Sequence, residues 1–247
     1  MSVSVALVGA GPGDPELLTV RAATLLRAAE VVVHDALVGD RVLALVPDGA
    51  EVIDVGKRPG RPVPQETISA LLVELARQGR RVVRLKGGDP YVFGRGGEEA
   101  LALLAAGIPF EVVPGITSSV AGPAAAGVPV THRGISAAVT VVTGHRQAGQ
   151  LAVDWRSLAK VGGTIVVLMG VSERATIAAE LLAGGLDPAT PVAAIHAATT
   201  SAEATLRCRL DELADAAVEP PATIVIGKVA ALDLRAGSLP PVHAAEP

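Results

Sequence analysis

Cysteine and aromatic residues are almost absent from this chain of 247 residues. The one cysteine, Cys208, excludes a disulfide framework and any CxxC metal site, and it is typical of a reducing compartment. Aromatic residues make up only 2 % of the sequence, which argues against a platform that stacks nucleic-acid bases. The core must therefore consist of Ala, Val, Leu and Ile, a composition that suits parallel strands covered by helices.

The chain also lacks an excess of positive charge and an unbroken apolar segment. Its net charge is −4, so no overall field attracts nucleic acid. A long apolar stretch, residues 101–130, is interrupted by Pro109, Pro114 and Pro123, so we expect no membrane helix. No basic segment precedes an apolar run at the N-terminus, so we expect no signal peptide. The histidines show no ligand spacing, so we expect no metal site.

Short apolar runs alternate with segments of helical spacing along the chain. A helix is predicted at 65–77, where apolar residues recur at Ile68, Leu71, Leu72 and Leu75. In the first half the strands are predicted at 3–8, 31–35, 52–55, 82–85 and 110–113. In the second half they are predicted at 139–142, 164–168, 191–195 and 223–226, with a further candidate at 206–210. This alternation favours parallel sheets covered by helices.

The sequence therefore predicts two α/β domains with mainly parallel sheets. We place the first at residues 1–116 and the second at 117–235, because a loop of small residues separates the two series near residue 116. A tail rich in Pro, Gly and Ala, residues 236–247, is expected to be flexible.

A long glycine-rich loop leaves the fourth predicted strand. Gly87 and Gly88 allow a close backbone approach to a ligand, or a positive φ. Asp89 offers an acceptor suited to a ribose hydroxyl or an amine, and Pro90 stiffens the loop. Because ligands of open α/β sheets bind at the carboxyl ends of strands, this loop predicts a binding site.

The segment GAGPGD at residues 9–14 partly matches the dinucleotide-binding pattern GxGxxG. The third glycine position is Asp14, whose carboxylate would repel a pyrophosphate, and Pro12 lacks a backbone donor. The sequence contains no GxxxxGK[ST] loop either. A ligand with nucleoside character but without phosphates fits better than a nicotinamide cofactor.

Ionisable residues follow several of the predicted strands. Asp35 suits a general base and Lys57 suits a proton donor or an anion clamp, although a capping Asp and a solvated Lys explain them equally well. Cationic side chains gather in the loops at Arg58, Arg61, Arg95, His132, Arg133, His145 and Arg146. Together they would suit a polycarboxylate substrate, and the alternative is an ordinary arginine-rich surface.

Several of these segments resemble one known family. Residues 7–14 with 18–19 resemble the N-terminal signature of the tetrapyrrole (corrin/porphyrin) methyltransferases, and residues 83–97 with 110–115 resemble their second signature. Shorter motifs narrow the resemblance to the uroporphyrinogen-III C-methyltransferases of that family, at 56–58, 64–66, 93–99, 114–117, 131–134 and 142–145. The resemblance covers about residues 3–234.

The resemblance implies two α/β domains with an active-site cleft between them, S-adenosyl-L-methionine as methyl donor, S-adenosyl-L-homocysteine as its product, and a homodimer. It implies Asp35 as proton acceptor and Lys57 as proton donor. It implies donor contacts at Pro12, Gly87, Gly88, Asp89, Val92, Thr117, Ser118, Met169 and Ala198. Substrate contacts are expected at Arg58, Arg95, His132 and Arg133.

The implied activity is methylation of uroporphyrinogen III at two pyrrole carbons, C2 and C7, to give precorrin-2 for sirohaem or cobalamin. The expected enzyme is cytoplasmic, and its length implies the methyltransferase alone. One alternative is a later precorrin methyltransferase. The other is a non-catalytic regulator that binds a tetrapyrrole or a nucleoside.

Overall fold

The computed structural model describes residues 4–56, 63–145 and 153–235. The chain divides after Thr117 into two compact units, Met1–Thr117 and Ser118–Pro247, where the sequence predicted a division between residues 116 and 117. The tail predicted to be flexible lies outside the described residues. In the described ranges no helix is both long enough and apolar enough to cross a membrane.

The first unit is built on a sheet of five parallel strands, as its apolar runs predicted. The strands are β1 (Val5–Gly9), β2 (Val31–His34), β3 (Glu51–Asp54), β4 (Val82–Lys86) and β5 (Phe110–Val113). They lie in the order β3-β2-β4-β1-β5, and every neighbouring pair is parallel. All residues of β1, β2 and β4 are buried, because helices cover both faces of the sheet.

Helices of the first unit form two cores, one on each face of this sheet. The helices are α1 (Val20–Arg27), α2 (Asp40–Leu43), α3 (Gln65–Arg77) and α4 (Gly96–Ala105). One core includes α3 and α4 through Ile68, Leu72 and Leu103. The other includes α1 and α2 through Leu26 and Val42. Successive strand residues feed opposite cores, because side chains alternate across a strand.

The strand order opens a crevice at the carboxyl ends of β2 and β4. The chain leaves β2 toward the edge strand β3, whereas it leaves β4 in the opposite direction, toward the other edge strand β5. The two connections diverge between adjacent strands, and such switch points bind ligands in open α/β sheets. The Asp35 N–H donates to the carbonyl of Leu85 in β4 at 3.2 Å, and a Cβ added to Gly87 would lie 3.4 Å from Leu37 in the loop after β2.

In its described residues, the second unit carries a five-stranded sheet and three α-helices. Its strands are β6 (Val139–Thr143), β7 (Thr164–Leu168), β8 (Pro191–His196), β9 (Ala204–Arg209) and β10 (Ala222–Ile226). Its helices are α5 (Ser118–Ala125), α6 (Trp155–Val161) and α7 (Arg174–Ala183). All five predicted strands are present, and the strand order is β6-β7-β10-β8-β9.

The prediction of a mainly parallel sheet was wrong for the second unit. Only β6 and β7 pair in parallel, whereas β10 is antiparallel to β7 and β8, and β9 is antiparallel to β8. Residues 197–203 alone join β8 to β9, which is too short for a parallel crossover of about a dozen residues. The strands β7, β8 and β10 are apolar and buried, so their composition gives no sign of their direction.

Candidate functional site

The glycine-rich loop between β4 and α4 is held against the loop that follows β1. Gly88 and Gly11 form a short antiparallel bridge, with N–H to carbonyl distances of 2.8 and 3.1 Å in the two directions. Both glycines have positive φ, 64° and 68°, which side chains disfavour. The loop therefore depends on glycine for its conformation at this bridge.

Three loops at the carboxyl ends of β1, β4 and β5 pack backbone against backbone. A Cβ added to Gly115 would lie 2.2 Å from the carbonyl oxygen of Gly88, and one added to Gly9 would lie 2.4 Å from the Gly115 nitrogen. Any side chain at these positions would push the loops apart. This packing, which we call the cradle, buries Gly9, Gly11 and Gly88, so backbone rather than side chains forms this end of the sheet.

Asp89 fastens this cradle. One of its carboxylate oxygens accepts a hydrogen bond from the Tyr91 N–H at 2.8 Å, and the other accepts one from the Gly115 N–H at 3.0 Å. Asp89 thus ties the glycine-rich loop to the loop after β5, a role that sequence reasoning did not anticipate. Its contact with the methyl donor stays a prediction.

The other donor residues predicted in the first unit surround the same loops. Pro12 follows the bridging Gly11 and is half-buried, Gly87 precedes the bridging Gly88, and Val92 is half-buried within the glycine-rich loop. Thr117 ends the loop after β5 and is also half-buried. The structure thus brings these first-unit predictions to loops that follow β1, β4 and β5.

Asp35 caps a cluster of buried charges beneath the crevice. We call Asp35, Arg84, Lys86 and Glu99 the charge cluster. The Asp35 side chain is 31 % exposed, whereas those of Arg84, Lys86 and Glu99 are nearly or fully buried. Arg84 forms an ion pair with Asp35, and the Lys86 ammonium lies 3.5 Å from the other Asp35 oxygen.

Glu99 forms the floor of the charge cluster. Its Oε1 accepts hydrogen bonds from Gln65 Nε2 at 3.0 Å, Arg84 Nε at 3.1 Å and Lys86 Nζ at 3.0 Å. Its Oε2 is buried and has no hydrogen-bond partner among the described residues. Burial and the Arg84 charge lower the pKa of the Lys86 ammonium, while Asp35 and Glu99 act in the opposite direction.

Sequence reasoning missed Arg84, Lys86 and Glu99. The available signal was the spacing of Arg84 and Lys86, because residues two apart on a strand share a face. Two charges on one face of a strand that is otherwise Val and Leu must be paired inside the protein. The partner on α4 could not be read from spacing alone.

In the second unit, the predicted donor residue Met169 directly follows β7. Its φ is 55°, and the residue is 48 % exposed. A left-handed conformation at a non-glycine residue costs about 1–3 kcal/mol and is concentrated at functional sites. The contact of Met169 with the donor stays a prediction.

Ala198 follows β8 and Ser118 contacts the start of β10, and these two strands are neighbours in the second sheet. Ala198 lies between Ala197 and Thr199, which have positive φ values of 42° and 66°, and it packs partly buried against a core of that unit. Ser118 begins α5, and its carbonyl accepts a hydrogen bond from the Thr223 hydroxyl at 3.3 Å.

Of the predicted substrate cations, Arg95 has an acidic partner. Arg95 forms two hydrogen bonds with Glu98, at 2.6 and 2.8 Å, at the start of α4. His132 and Arg133 are exposed in a tight turn of the second unit, where the His132 ring contacts the Arg133 carbonyl. Lys57 and Arg58 lie outside the described residues.

A cavity of about 720 Å³ lies along α3 and α4, and its lining includes Gln65, which donates to Glu99, and Glu98, which pairs with Arg95. Its lining includes Glu66, Val73, Arg77 and Ala102 but none of the predicted site residues. We assign the site to the strand ends because the strained loops and the buried charges converge there. Within residues 4–56, 63–145 and 153–235, no group of His, Cys, Asp or Glu could hold a metal ion.

Comparison with known proteins gives one consistent family. The sequence model described as Tetrapyrrole (Corrin/Porphyrin) Methylases matches residues 4–214. A uroporphyrinogen-III C-methyltransferase from Sinorhizobium sp. is 50 % identical over 236 residues, which cover 93 % of this chain and 84 % of the relative. An S-adenosyl-L-methionine-dependent uroporphyrinogen III methyltransferase from Methanosarcina barkeri is 50 % identical over 91 % of each chain.

Longer relatives match over part of their length. The chain spans 50 % of a siroheme synthase from Methylococcus capsulatus, to which it is 49 % identical.

Solved structures give the same family. A uroporphyrin-III C-methyl transferase from Thermus thermophilus, complexed with S-adenyl homocysteine, has a TM-score of 0.81 at 48 % identity, covering 91 % of this chain and 92 % of the other. A cobalt precorrin-4 methyltransferase has a TM-score of 0.83 at 29 % identity, covering 92 % and 95 %. This chain belongs to the tetrapyrrole (corrin/porphyrin) methylases.

Proposed function

We propose that this protein transfers methyl groups from S-adenosyl-L-methionine to C2 and C7 of uroporphyrinogen III, giving precorrin-2 for sirohaem or cobalamin. The observation that carries the proposal is the 50 % identity, over 91–93 % of this chain, to two methyltransferases named for uroporphyrinogen III. S-adenosyl-L-homocysteine is the second product. The structure of the Thermus relative is described as a complex with S-adenyl homocysteine.

The cradle around Gly88 fits a nucleoside donor better than a phosphate-bearing cofactor. Backbone groups of three loops meet there without side chains. Asp14, at the third glycine position of the GxGxxG pattern, carries a carboxylate that would repel a pyrophosphate. Pro12, Gly87, Gly88, Asp89, Val92 and Thr117 would hold the donor from the first unit. The same proposal gives donor contacts to Ser118, Met169 and Ala198.

The protein contributes mainly alignment and proton removal. The sulfonium of the donor supplies an electrophilic methyl group, and a pyrrole carbon is the nucleophile. Holding the two in line supplies roughly 7–11 kcal/mol by proximity. The methylated ring must then lose a proton, and Asp35 is the exposed acid at the crevice that we propose as the acceptor.

Substrate carboxylates are the proposed partners of the loop cations. Arg58, Arg95, His132 and Arg133 would bind them, and Lys57 would donate a proton. Each charge-assisted hydrogen bond is worth roughly 1.5–3 kcal/mol. Arg95 already has Glu98 as partner, so its binding of substrate would require exchange of that ion pair.

The test is incubation of the protein with uroporphyrinogen III and S-adenosyl-L-methionine under reducing conditions. Mass spectrometry should show a tetrapyrrole with two added methyl groups, and absorbance should follow its formation. A product with one or no added methyl group would contradict the proposal.

A later precorrin methyltransferase is the second candidate, because the cobalt precorrin-4 methyltransferase matches the fold with the TM-score of 0.83. Its 29 % identity is far below the 50 % of the uroporphyrinogen III enzymes, which favours the first candidate. Offering each substrate separately distinguishes the two. A non-catalytic regulator would bind both ligands and form no product.

We also propose a cytoplasmic homodimer. The single cysteine supports a reducing compartment, and the family resemblance supports the dimer. Light scattering at several protein concentrations tests the dimer, which predicts twice the mass of one chain.

A further inference from the structure

The charge cluster is arranged in layers beneath Asp35. Asp35 is the member that reaches solvent, Arg84 and Lys86 lie behind it, and Glu99 lies behind them with no exposed surface. Each cation contacts both carboxylates. The Asp35 carboxylate is therefore held by side chains that are themselves buried.

Lys86 links Asp35 to Glu99 and lies beneath the glycine-rich loop. Its Nζ lies 3.5 Å from Asp35 Oδ2 and 3.0 Å from Glu99 Oε1. Its stem runs beneath the glycine-rich loop, since a Cβ at Gly94 would lie 3.3 Å from Lys86 Cε. Arg84, in contrast, also donates to the backbone carbonyl of Val33 at 3.3 Å, which gives it a role in holding the sheet.

The burial of Glu99 destabilises the fold. Its Oε2 has no hydrogen-bond partner among the described residues, and a buried polar atom without a partner is destabilising. Buried ion pairs contribute little to stability compared with apolar side chains of similar volume. The fold alone therefore does not explain a negative charge at this position.

Among the residues that the structure describes, charged and titratable groups besides those of the cradle are placed around Asp35 or on the strands beside it. Arg84 and Lys86 face it from β4, and Glu99 stands behind them on α4. His34 precedes it on β2 and contacts the Asp35 carbonyl through its ring. Asp54 ends the neighbouring strand β3, where its carboxylate accepts from the Gly56 N–H at 2.8 Å.

We propose that Lys86 and Glu99 are positioning residues for Asp35, with opposite effects on its ionisation. Lys86 holds the second carboxylate oxygen and favours the ionised form, and Glu99 fixes Lys86 and offsets part of its charge. The inference rests on the proposed function, in which Asp35 accepts the proton. Neither residue needs to touch the substrate.

The test measures the pKa of the Asp35 carboxyl by carbon NMR titration of the full chain without ligands. Lys86→Met removes the cation that lies 3.5 Å from Asp35 Oδ2, so the ionised carboxylate loses a partner and its titration should move to higher pH. Glu99→Gln removes the buried negative charge and keeps the size of the side chain. The titration of Asp35 should then move to lower pH. Lys86→Arg keeps the charge and should leave the pKa close to that of the wild type.

The kinetic readout is the acidic limb of the pH profile of kcat/KM. This limb should move to higher pH in Lys86→Met and to lower pH in Glu99→Gln, because the base must be ionised to accept a proton. Structural damage would not move the limb in opposite directions. Thermal unfolding checks each variant, and if Lys86→Met does not fold, the Glu99→Gln and Lys86→Arg pair carries the test.

Two outcomes would overturn the inference: shifts of the same sign in both variants, or an Asp35 pKa that neither substitution changes. Failure of the proposed function would be visible separately, as absence of methylated product from the wild-type chain. The NMR result does not depend on that activity.

Discussion

The glycine cradle and the charge cluster occupy the carboxyl ends of neighbouring strands, but different forces hold them. The cradle consists of backbone packed on backbone, so an added methyl group at Gly115 would collide with Gly88. The charge cluster consists of long side chains whose charges balance, so a removed charge disturbs it. Substitutions that add atoms should therefore harm donor binding, whereas substitutions that remove charge should harm proton transfer.

The largest effect is expected for Asp35→Asn. It keeps the size of the side chain but removes its basicity, so the rate should fall by roughly 10²–10⁴-fold, the usual contribution of a general base. Both ligands should bind within a few-fold of the wild type. Single-turnover kinetics and calorimetry measure the two quantities.

Asp54→Asn is the matched control for that substitution. Asp54 lies at the same end of the sheet as Asp35, because it pairs in register with His34 on the adjacent strand. Its rate should stay near that of the wild type. A rate for Asp35→Asn within a factor of about three of the wild type would remove Asp35 as the base.

Gly115→Ala should break the cradle. The new Cβ would lie 2.2 Å from the Gly88 carbonyl, and overpacking of this kind costs about 1–3 kcal/mol. We expect donor affinity to fall roughly tenfold or more, which is about 1.4 kcal/mol, as measured by calorimetry.

Gly97→Ala, in the first turn of α4, controls for the loss of a glycine. No atom lies within 4 Å of its added Cβ, so donor affinity should not change. Stability should rise by about 0.5–1 kcal/mol because alanine favours the helix. Equal donor affinities in the two variants would show that the cradle does not form the donor site.

Asp89→Ala should loosen the cradle without overfilling it. It removes the acceptors for the Tyr91 and Gly115 N–H groups, so the free energy of unfolding should fall by about 1–3 kcal/mol in denaturant titrations. Asp48→Ala, in an exposed turn of the same unit, is the control and should change stability by less than about 0.5 kcal/mol. If the two variants lost the same stability, Asp89 would not fasten the loops.

The smallest effect on stability is expected for Arg95→Ala. Its exposed ion pair with Glu98 contributes about 0–1 kcal/mol to folding. Tetrapyrrole affinity should nevertheless fall and become less sensitive to salt, because the substrate is a polyanion. Arg156→Ala breaks a similar exposed pair with Glu180 and should leave tetrapyrrole affinity unchanged. Identical salt dependence in both variants would identify Arg95 as an ordinary surface residue.

The sequence predicted the parts of the molecule that depend on local pattern. Buried valine runs identified β1, β2 and β4, and the glycine spacing identified the loop after β4. The direction of β10 could not be predicted, because buried strands of either direction have similar compositions. The short connection between β8 and β9 was an available signal for their antiparallel pairing.

The charge cluster could not be predicted for a different reason. Glu99 belongs to α4, and only the fold brings it to Lys86 on β4. Sequence spacing relates residues within one element, whereas this pairing joins two. The role of Asp89 in fastening the loop to Gly115 was missed in the same way, because the two residues meet only through tertiary packing.

The most direct measurement uses S-adenosyl-L-methionine carrying a deuterated methyl group, with uroporphyrinogen III as substrate. The proposed function predicts that the tetrapyrrole product of the wild-type chain contains two deuterated methyl groups, at C2 and C7. The Asp35→Asn variant should form the same product much more slowly. A wild-type reaction that transfers no deuterated methyl group to the tetrapyrrole would contradict the proposed function.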